Sequence, residues 1–170
     1  MDEQTAVESG QYLTFKLGEE IYAANISRIR EVLEFSSITH VPRTPDFVRG
    51  VINLRGGVVP VIDLRLKFGL SKTEKTLDTC VIILEIVIDG ERTVLGALAD
   101  SVQEVIDLEA EQIEPAPRLG TRLRTDFIRG MGKRDGQFII ILNIDRVFSS
   151  EELALVQEAG QSGEPANTES

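Results

Sequence analysis

The side chains in this sequence with the clearest capacity for chemistry are its single histidine and single cysteine, His40 and Cys80. A cysteine held against a histidine can form a pair of nucleophile and base. His40 lies in a proline-rich segment, however, and Cys80 opens an apolar run in which a thiol stays protonated and unreactive. The adjacent Gly56 and Gly57 precede two valines instead of a lysine and a helix, so they do not form a phosphate-binding loop. These residues predict no catalytic site and no cofactor.

Composition and spacing argue against several further classes of function. Asp63, Asp100 and Asp107 lack the spacing of a calcium-binding loop, so no metal site is expected. The chain carries 18 Lys and Arg residues against 28 Asp and Glu residues, and a formal charge of −10 repels nucleic acid and anionic membranes. The acidic N-terminus is unlike a signal peptide, and the apolar run 80–88 is too short for a membrane helix. We therefore predict a non-enzymatic binding or scaffolding protein, and a lone cysteine fits the cytoplasm.

Two segments of the sequence repeat each other. Residues 47–68 and 127–148 align without a gap at a separation of 80 positions, and residues 29–33 and 102–106 align at a separation of 73. The matched positions include an Arg-Gly pair, a hairpin glycine and a closing phenylalanine. These matches argue against the alternative that any two β-hairpins look alike. We predict two similar subdomains, called here the first and second repeat: about 12–69 and about 79–148.

Short apolar runs separated by turn residues predict a mostly β protein built from small barrels. The predicted strands are 12–17, 21–24, 31–35, 50–54, 58–63, 80–88, 93–99, 127–132 and 137–142. Gly56 and Gly57 are expected to supply the positive φ of a hairpin turn. Asn25 is expected to cap a short helical turn. The segment 99–106 is expected to pair with the segment 26–33.

The ends of the chain carry different signals from its middle. Residues 1–10 are expected to form a flexible arm and residues 161–170 a disordered tail, because both are polar. The folded domain is expected between them, at 11–160. An S-x-x-E capping box ahead of three apolar residues predicts a short C-terminal helix over about 150–159.

Polar residues beside the first hairpin favour the binding of a partner. Asn53 and Arg55 are two residues apart and are expected to share one face of a strand. A guanidinium in this position can clamp a carboxylate through two parallel hydrogen bonds, and Glu31 is the candidate carboxylate. The second repeat has Lys133 and Asp135 at the positions of Asn53 and Arg55. Divergence at polar positions is expected where two repeats bind different partners. Neutral sequence change after a duplication produces the same pattern.

Residues 49–56 and 59–65 read RGVINLRG and VPVIDLR, and with these motifs the sequence closely resembles the CheW family, the coupling proteins of bacterial chemotaxis. The resemblance extends over about 11–159. It implies two similar five-stranded SH3-like barrels packed on a common core, without catalytic activity. It also implies a cytoplasmic adaptor in receptor arrays at the inner membrane. Such an adaptor links the cytoplasmic tip of chemoreceptors, the methyl-accepting chemotaxis proteins, to the regulatory domain of the histidine kinase CheA.

Carried over position by position, the resemblance implies that the receptor-binding residues are Ile29, Glu31, Gly50, Asn53 and Arg55. It identifies no residue of the kinase-binding surface, beyond an expectation of apolar side chains at the end of one barrel. A related function remains as an alternative. The chain would then be a regulatory CheW-like module of another chemosensory system, for example one that controls pilus-based motility.

Overall fold

The computed structural model describes residues 10–35, 37–88, 90–115 and 127–147. Within these residues the chain forms mainly β-strands, so the prediction of a mostly β protein is confirmed. The strands are β1 Gly10–Leu17, β2 Glu20–Asn25, β3 Ile29–Glu34, β4 Val48–Leu54, β5 Gly57–Asp63, β6 Cys80–Ile88, β7 Glu91–Ala99, β8 Ser101–Leu108, β9 Ile113–Glu114, β10 Ile128–Arg134 and β11 Gln137–Leu142. The helices are α1 Leu64–Lys67 and α2 Ile144–Val147, and 3₁₀ turns form at Ile26–Arg28 and Ala110–Gln112. The predicted C-terminal helix, the predicted tail and residues 1–9 of the predicted arm lie outside the described residues.

The strands form two sheets, and each sheet takes strands from both repeats. The first sheet has the order β8-β1-β2-β11-β10-β9, and the second has the order β3-β6-β7-β5-β4. The third strand of each repeat crosses to the other repeat, since β3 pairs with β6 and β8 pairs with β1. The prediction that 99–106 pairs with 26–33 is therefore wrong. The two segments are similar because they are equivalent strands, and each pairs with the first strand of the opposite repeat.

The two sheets have the same order of equivalent strands when the strands of one repeat are exchanged for those of the other. This relationship is called here the two-fold exchange. In that exchange β1 to β5 correspond to β6, β7, β8, β10 and β11. Each long hairpin joins the other repeat through a parallel contact, β5 with β7 and β11 with β2. The short β9 pairs with β10, and in the second sheet Thr39 makes the equivalent bridge to Val51. Each sheet thus contains five long strands, in agreement with the two similar five-stranded units expected.

Three apolar clusters hold the sheets together. The largest is the shared core between the two sheets, and a smaller cluster fills the inside of each sheet. Leu13 and Phe15 of β1 point into the shared core, whereas Tyr12 points into the first sheet, because side chains alternate along a strand. Burial of each such side chain stabilises the fold by about 1.5–3 kcal/mol. β1 is therefore buried on both faces.

Both long hairpins turn through two residues with positive φ. Gly57 is already paired in β5, which leaves Arg55 (φ 51°) and Gly56 (φ 85°) as the loop. Asp135 (φ 53°) and Gly136 (φ 80°) form the same loop in the second repeat. Hairpin loops of two residues with this conformation match the right-handed twist of the strands. The prediction of positive φ is thus confirmed for Gly56 and wrong for Gly57, because Arg55 takes the other left-handed position.

The short turn before β3 forms as predicted. Residues Ile26–Arg28 make a single 3₁₀ turn, and Asn25 Oδ1 accepts a hydrogen bond of 2.9 Å from the Ser27 amide. This cap satisfies an amide that the turn itself leaves unpaired. Because Ile29 follows at once as the first residue of β3, the turn fixes where that strand begins.

Candidate functional site

Glu31 and Arg55 join the two opposite edges of the second sheet. Glu31 lies on β3, and Arg55 lies in the turn after β4, the strand at the other edge of the sheet. The Arg55 guanidinium donates two hydrogen bonds to the Glu31 carboxylate, Nη1 to Oε2 over 2.6 Å and Nη2 to Oε1 over 2.9 Å. The predicted bidentate pair is therefore present. The backbones of the two edge strands are not paired with each other, so this side-chain pair links the two edges of the sheet.

The pair places charged groups at an accessible position. The Arg55 side chain is 71% exposed and the Glu31 side chain 26% exposed. The hydrogen bonds from Arg55 lower the pKa of Glu31, and the same contact raises the pKa of Arg55. Because solvent and salt screen an exposed pair, its main contribution is to fix the orientation of both groups. Most of the Arg55 side chain remains exposed while it holds Glu31.

Asn53 supports the turn that presents Arg55. Its Oδ1 atom accepts a hydrogen bond of 3.2 Å from the Gly56 amide. Arg55 does not lie on β4 beside Asn53, as the sequence predicted, but in the left-handed turn that follows. A non-glycine residue is uncommon in this conformation, and the Asn53 hydrogen bond helps to hold the loop that requires it. Asn53 therefore acts on the site through the turn.

Gly50 lies on β4, three residues before Asn53, and is needed for close packing. Its φ of 145° is accessible mainly to glycine, and a Cβ atom there would lie 2.1 Å from the Thr39 carbonyl oxygen. The Thr39 and Val51 backbones exchange hydrogen bonds of 2.9 and 2.8 Å at this point. The absence of a side chain thus lets the segment around Thr39 pair against β4.

Ile29 faces away from the ion pair. It pairs with Leu84 on β6, whereas Glu31 pairs with the adjacent Ile83, so Arg30 forms a bulge between them. Neighbouring residues of a strand face opposite sides, and the bulge therefore turns Ile29 towards the shared core and Glu31 towards Arg55. The structure brings Glu31, Asn53 and Arg55 together, and it places Gly50 and Ile29 in supporting positions.

Sequence reasoning missed a second ion pair close to this site. Arg28 Nη1 donates to Asp145 Oδ1 over 2.8 Å and to the Glu85 carbonyl oxygen over 3.1 Å, and Arg28 Nη2 donates to Asp145 Oδ2. The Val87 amide donates to Asp145 Oδ1 over 3.0 Å. Burial opposes ionisation of Asp145, but the hydrogen bonds from Arg28 and Val87 outweigh burial and lower its pKa. No motif marks this pair, because its members are 117 positions apart.

Glu85 links three arginines on the same side of the second sheet. Its carboxylate contacts Arg30 and Arg92, each over 3.3 Å, and its backbone oxygen accepts from Arg28. The Arg30 side chain is 53% exposed and the Arg92 side chain 81% exposed. The surface around Glu85 thus carries two exposed arginines in a chain whose formal charge is −10.

The residues considered for catalysis are His40 and Cys80. His40 is exposed, and burial raises the pKa of the half-buried Cys80 thiol, which keeps it protonated. Among the described residues, no group of three or more His, Cys, Asp or Glu side chains is placed to hold a metal ion. In the same part of the chain, no helix is long and apolar enough to cross a membrane.

Known proteins match this chain over most of its length. The model of the CheW-like domain family matches residues 11–152. The chemotaxis protein CheW of Klebsiella aerogenes is 40% identical over 152 residues, which are 89% of each chain. The protein FrzA of Myxococcus xanthus is 30% identical over 142 residues, covering 82% of this chain and 86% of FrzA. The crystal structure of the scaffolding protein TtCheW from Thermoanaerobacter tengcongensis has 39% identity and a TM-score of 0.75, covering 85% of this chain and 95% of that one. From this match along most of its length, the chain belongs to the CheW-like domain family.

Proposed function

We propose that this protein is a non-enzymatic adaptor of bacterial chemotaxis, which couples chemoreceptors to the histidine kinase CheA. Its relatives support the pathway, since they include a chemotaxis protein and a scaffolding protein that match nearly the whole chain. The observation that carries the receptor contact is the exposed, bidentate pair of Glu31 and Arg55. Such a pair offers both a hydrogen-bond donor and an acceptor to a helical partner. Because the two side chains are already ordered, little conformational entropy is lost on binding.

In this proposal the receptor tip binds to the surface around Glu31, Asn53 and Arg55. Gly50 keeps the segment around Thr39 packed against β4, and Ile29 packs β3 on the shared core. The partner is the cytoplasmic tip of a methyl-accepting chemotaxis protein. The adaptor therefore works in the cytoplasm, in receptor arrays at the inner membrane, without inserting into the membrane or binding nucleic acid.

The second repeat supports a separate site for the kinase regulatory domain. The positions equivalent to Glu31 and Arg55 are Glu104 and Asp135, which are both exposed carboxylates and cannot form the same clamp. The two repeats are thus unsuited to hold the same partner, because like charges replace an ion pair. Separate sites let one molecule hold receptor and kinase together, and many weak links of this kind strengthen an array.

A double titration tests this function. The full chain is saturated with the CheA regulatory domain, and binding of a soluble receptor-tip fragment is then measured by calorimetry. Unchanged or stronger receptor binding is expected. Mutual exclusion of the two partners would show that they share one surface, and failure to bind either partner would overturn the adaptor function.

The alternative of a regulatory module in another chemosensory system has one observation in its favour. FrzA, which matches most of this chain, does not carry the name of a chemotaxis protein. Capture of the full chain from its native cell distinguishes the two systems by the receptor and kinase that accompany it. Recovery of a kinase from a pilus-linked system would favour the alternative.

A further inference from the structure

Asp145 anchors the start of β3 from the opposite repeat. Arg28 ends the 3₁₀ turn directly before Ile29, and its guanidinium contacts the Asp145 carboxylate of α2 through two nitrogen atoms. The Val87 amide holds the same carboxylate from the end of β6. Asp145, in helix α2 of the second repeat, thus contacts both the turn before β3 and the strand β6 that pairs with β3.

The two-fold exchange places an equivalent anchor before β8. There Arg65 Nη1 donates to Asp100 Oδ2 over 2.8 Å, and the Gly18 amide donates to the same oxygen over 2.7 Å. Arg65 is the equivalent of Asp145, and Gly18 is the equivalent of Val87. Both repeats thus place an amide, a carboxylate and a guanidinium together before the third strand, but the charges have exchanged between helix and turn. Asp100 is at the position equivalent to Ser27, one residue before the position equivalent to Arg28.

Each anchor precedes a bulged strand. In β3 the pairing skips Arg30, and in β8 it skips Gln103 at the equivalent position. A bulge interrupts the ladder that otherwise fixes the direction of a strand. An ion pair of this kind thus occurs before the bulged strand in both repeats, with its charges reversed. We therefore associate the ion pair with the placement of the bulged strand and not with one particular residue type.

We infer that Asp145 is a positioning residue for the receptor contact: by holding Arg28 it fixes the β3 bulge that turns Glu31 towards Arg55. This inference rests on the proposed function for its receptor readout. Asp145 belongs to α2 in the second repeat, so the contact surface of the first repeat depends on a residue of the other repeat. The role is indirect, because Asp145 acts through Arg28 and the backbone of β3.

The test uses the full chain with the variant Asp145→Asn and two readouts. The first is the titration of the Glu31 carboxyl followed by NMR, and the second is the affinity for a soluble receptor-tip fragment. Loosening of the Glu31–Arg55 pair raises the pKa of Glu31, whereas mere removal of a negative charge would lower it. We expect a raised pKa and an affinity weaker by about three- to tenfold.

Two further variants control for general damage. Asp100→Asn removes the equivalent anchor before β8 and is expected to leave the titration of Glu31 and the affinity for the receptor tip unchanged. The triple variant Ser27→Asp, Arg28→Ser, Asp145→Arg copies the residues of the second anchor into the first without changing the net charge. It is expected to restore both readouts.

The inference is overturned if Asp145→Asn leaves the titration of Glu31 unchanged or lowers its pKa, or if Asp100→Asn has the same effect. Should Asp145→Asn fail to fold, Arg28→Lys weakens the same contact with the charge retained, and the same readouts decide. If the wild-type chain fails to bind receptor tips, the proposed function is wrong, while the titration of Glu31 still decides the positioning role.

Discussion

Arg49 donates a hydrogen bond to Asp63 across 3.0 Å, and Asp63 is completely buried. Asp63 also accepts hydrogen bonds from the amide and hydroxyl of Thr73, over 3.0 and 2.6 Å, and from the Arg65 amide over 3.1 Å. One carboxylate therefore ties the end of β5 both to the bulge of β4 and to the connection between the repeats. The second repeat has Asn143 at this position.

Removal of the Asp63 carboxylate is expected to destabilise the fold strongly. Asp63→Ala leaves Arg49 and Thr73 without their buried acceptor and should cost about 3–5 kcal/mol in the free energy of unfolding. Asp63→Asn keeps one acceptor oxygen, as Asn143 does towards Arg129 over 3.4 Å, and should cost about 1–2 kcal/mol. Urea unfolding measures both values, and an equal loss in the two variants would contradict this assignment.

Reversal of charge at Glu31 is expected to affect binding more than folding. Glu31→Lys places a cation beside Arg55 and should weaken binding of the receptor tip by about tenfold, while the melting temperature stays within a few degrees because the pair is exposed. The matched control is Glu104→Lys, at the equivalent position of the second repeat. Calorimetry and thermal unfolding test this prediction, and a similar loss of affinity in the control would argue against receptor binding at Glu31.

The two adjacent hairpin glycines are expected to differ in their tolerance of side chains. Gly56 has a φ of 85°, whereas Gly57 lies in β5, where a Cβ atom would stand 3.5 Å from the Leu54 oxygen, an ordinary contact. Gly56→Val should therefore cost more than about 1 kcal/mol, and Gly57→Val should cost clearly less. Denaturant unfolding of the two variants compares them directly. Equal costs would contradict the two-residue loop.

Gly50 is expected to be the least tolerant of the three glycines near the site. Gly50→Ala combines a strained φ with a clash against the Thr39 backbone and should cost about 2–4 kcal/mol. Because the clash separates Thr39 from Val51, amide exchange at Val51 should also become faster. Gly57→Ala is the control, and unchanged protection at Val51 would show that Gly50 does not hold this segment in place.

Acid is expected to weaken the anchor at Asp145. The pKa of Asp145 is lower in the folded protein than its ordinary value of 3.8, so its contribution to stability is complete above that value. The contribution disappears as the pH falls through the folded-state pKa. Asp145→Asn should therefore flatten the dependence of unfolding free energy on pH below about 4, as measured by urea unfolding at a series of pH values. A dependence identical to that of the wild type would contradict a lowered pKa.

The sequence by itself determined the local structure and the chemistry of the principal pair. Short apolar runs separated by turn residues located the strands, because such runs are typical of strands buried in a core. Asn25 was recognised as a cap from its side chain alone. Arg55 and Glu31 were predicted to pair because a guanidinium and a carboxylate match in shape and charge, and the resemblance brought them near each other.

Only the tertiary structure decided which strands pair and what anchors them. The apolar pattern of β3 and β8 is compatible with several partners, and their exchange between repeats follows from the packing of two sheets on one core. The left-handed conformation of Arg55 could not be predicted from the sequence, because Gly57, two residues later, is by residue type the better candidate for positive φ. Arg28 and Asp145 left no signal in the sequence, since an ion pair between residues 117 positions apart exists only once the chain has folded.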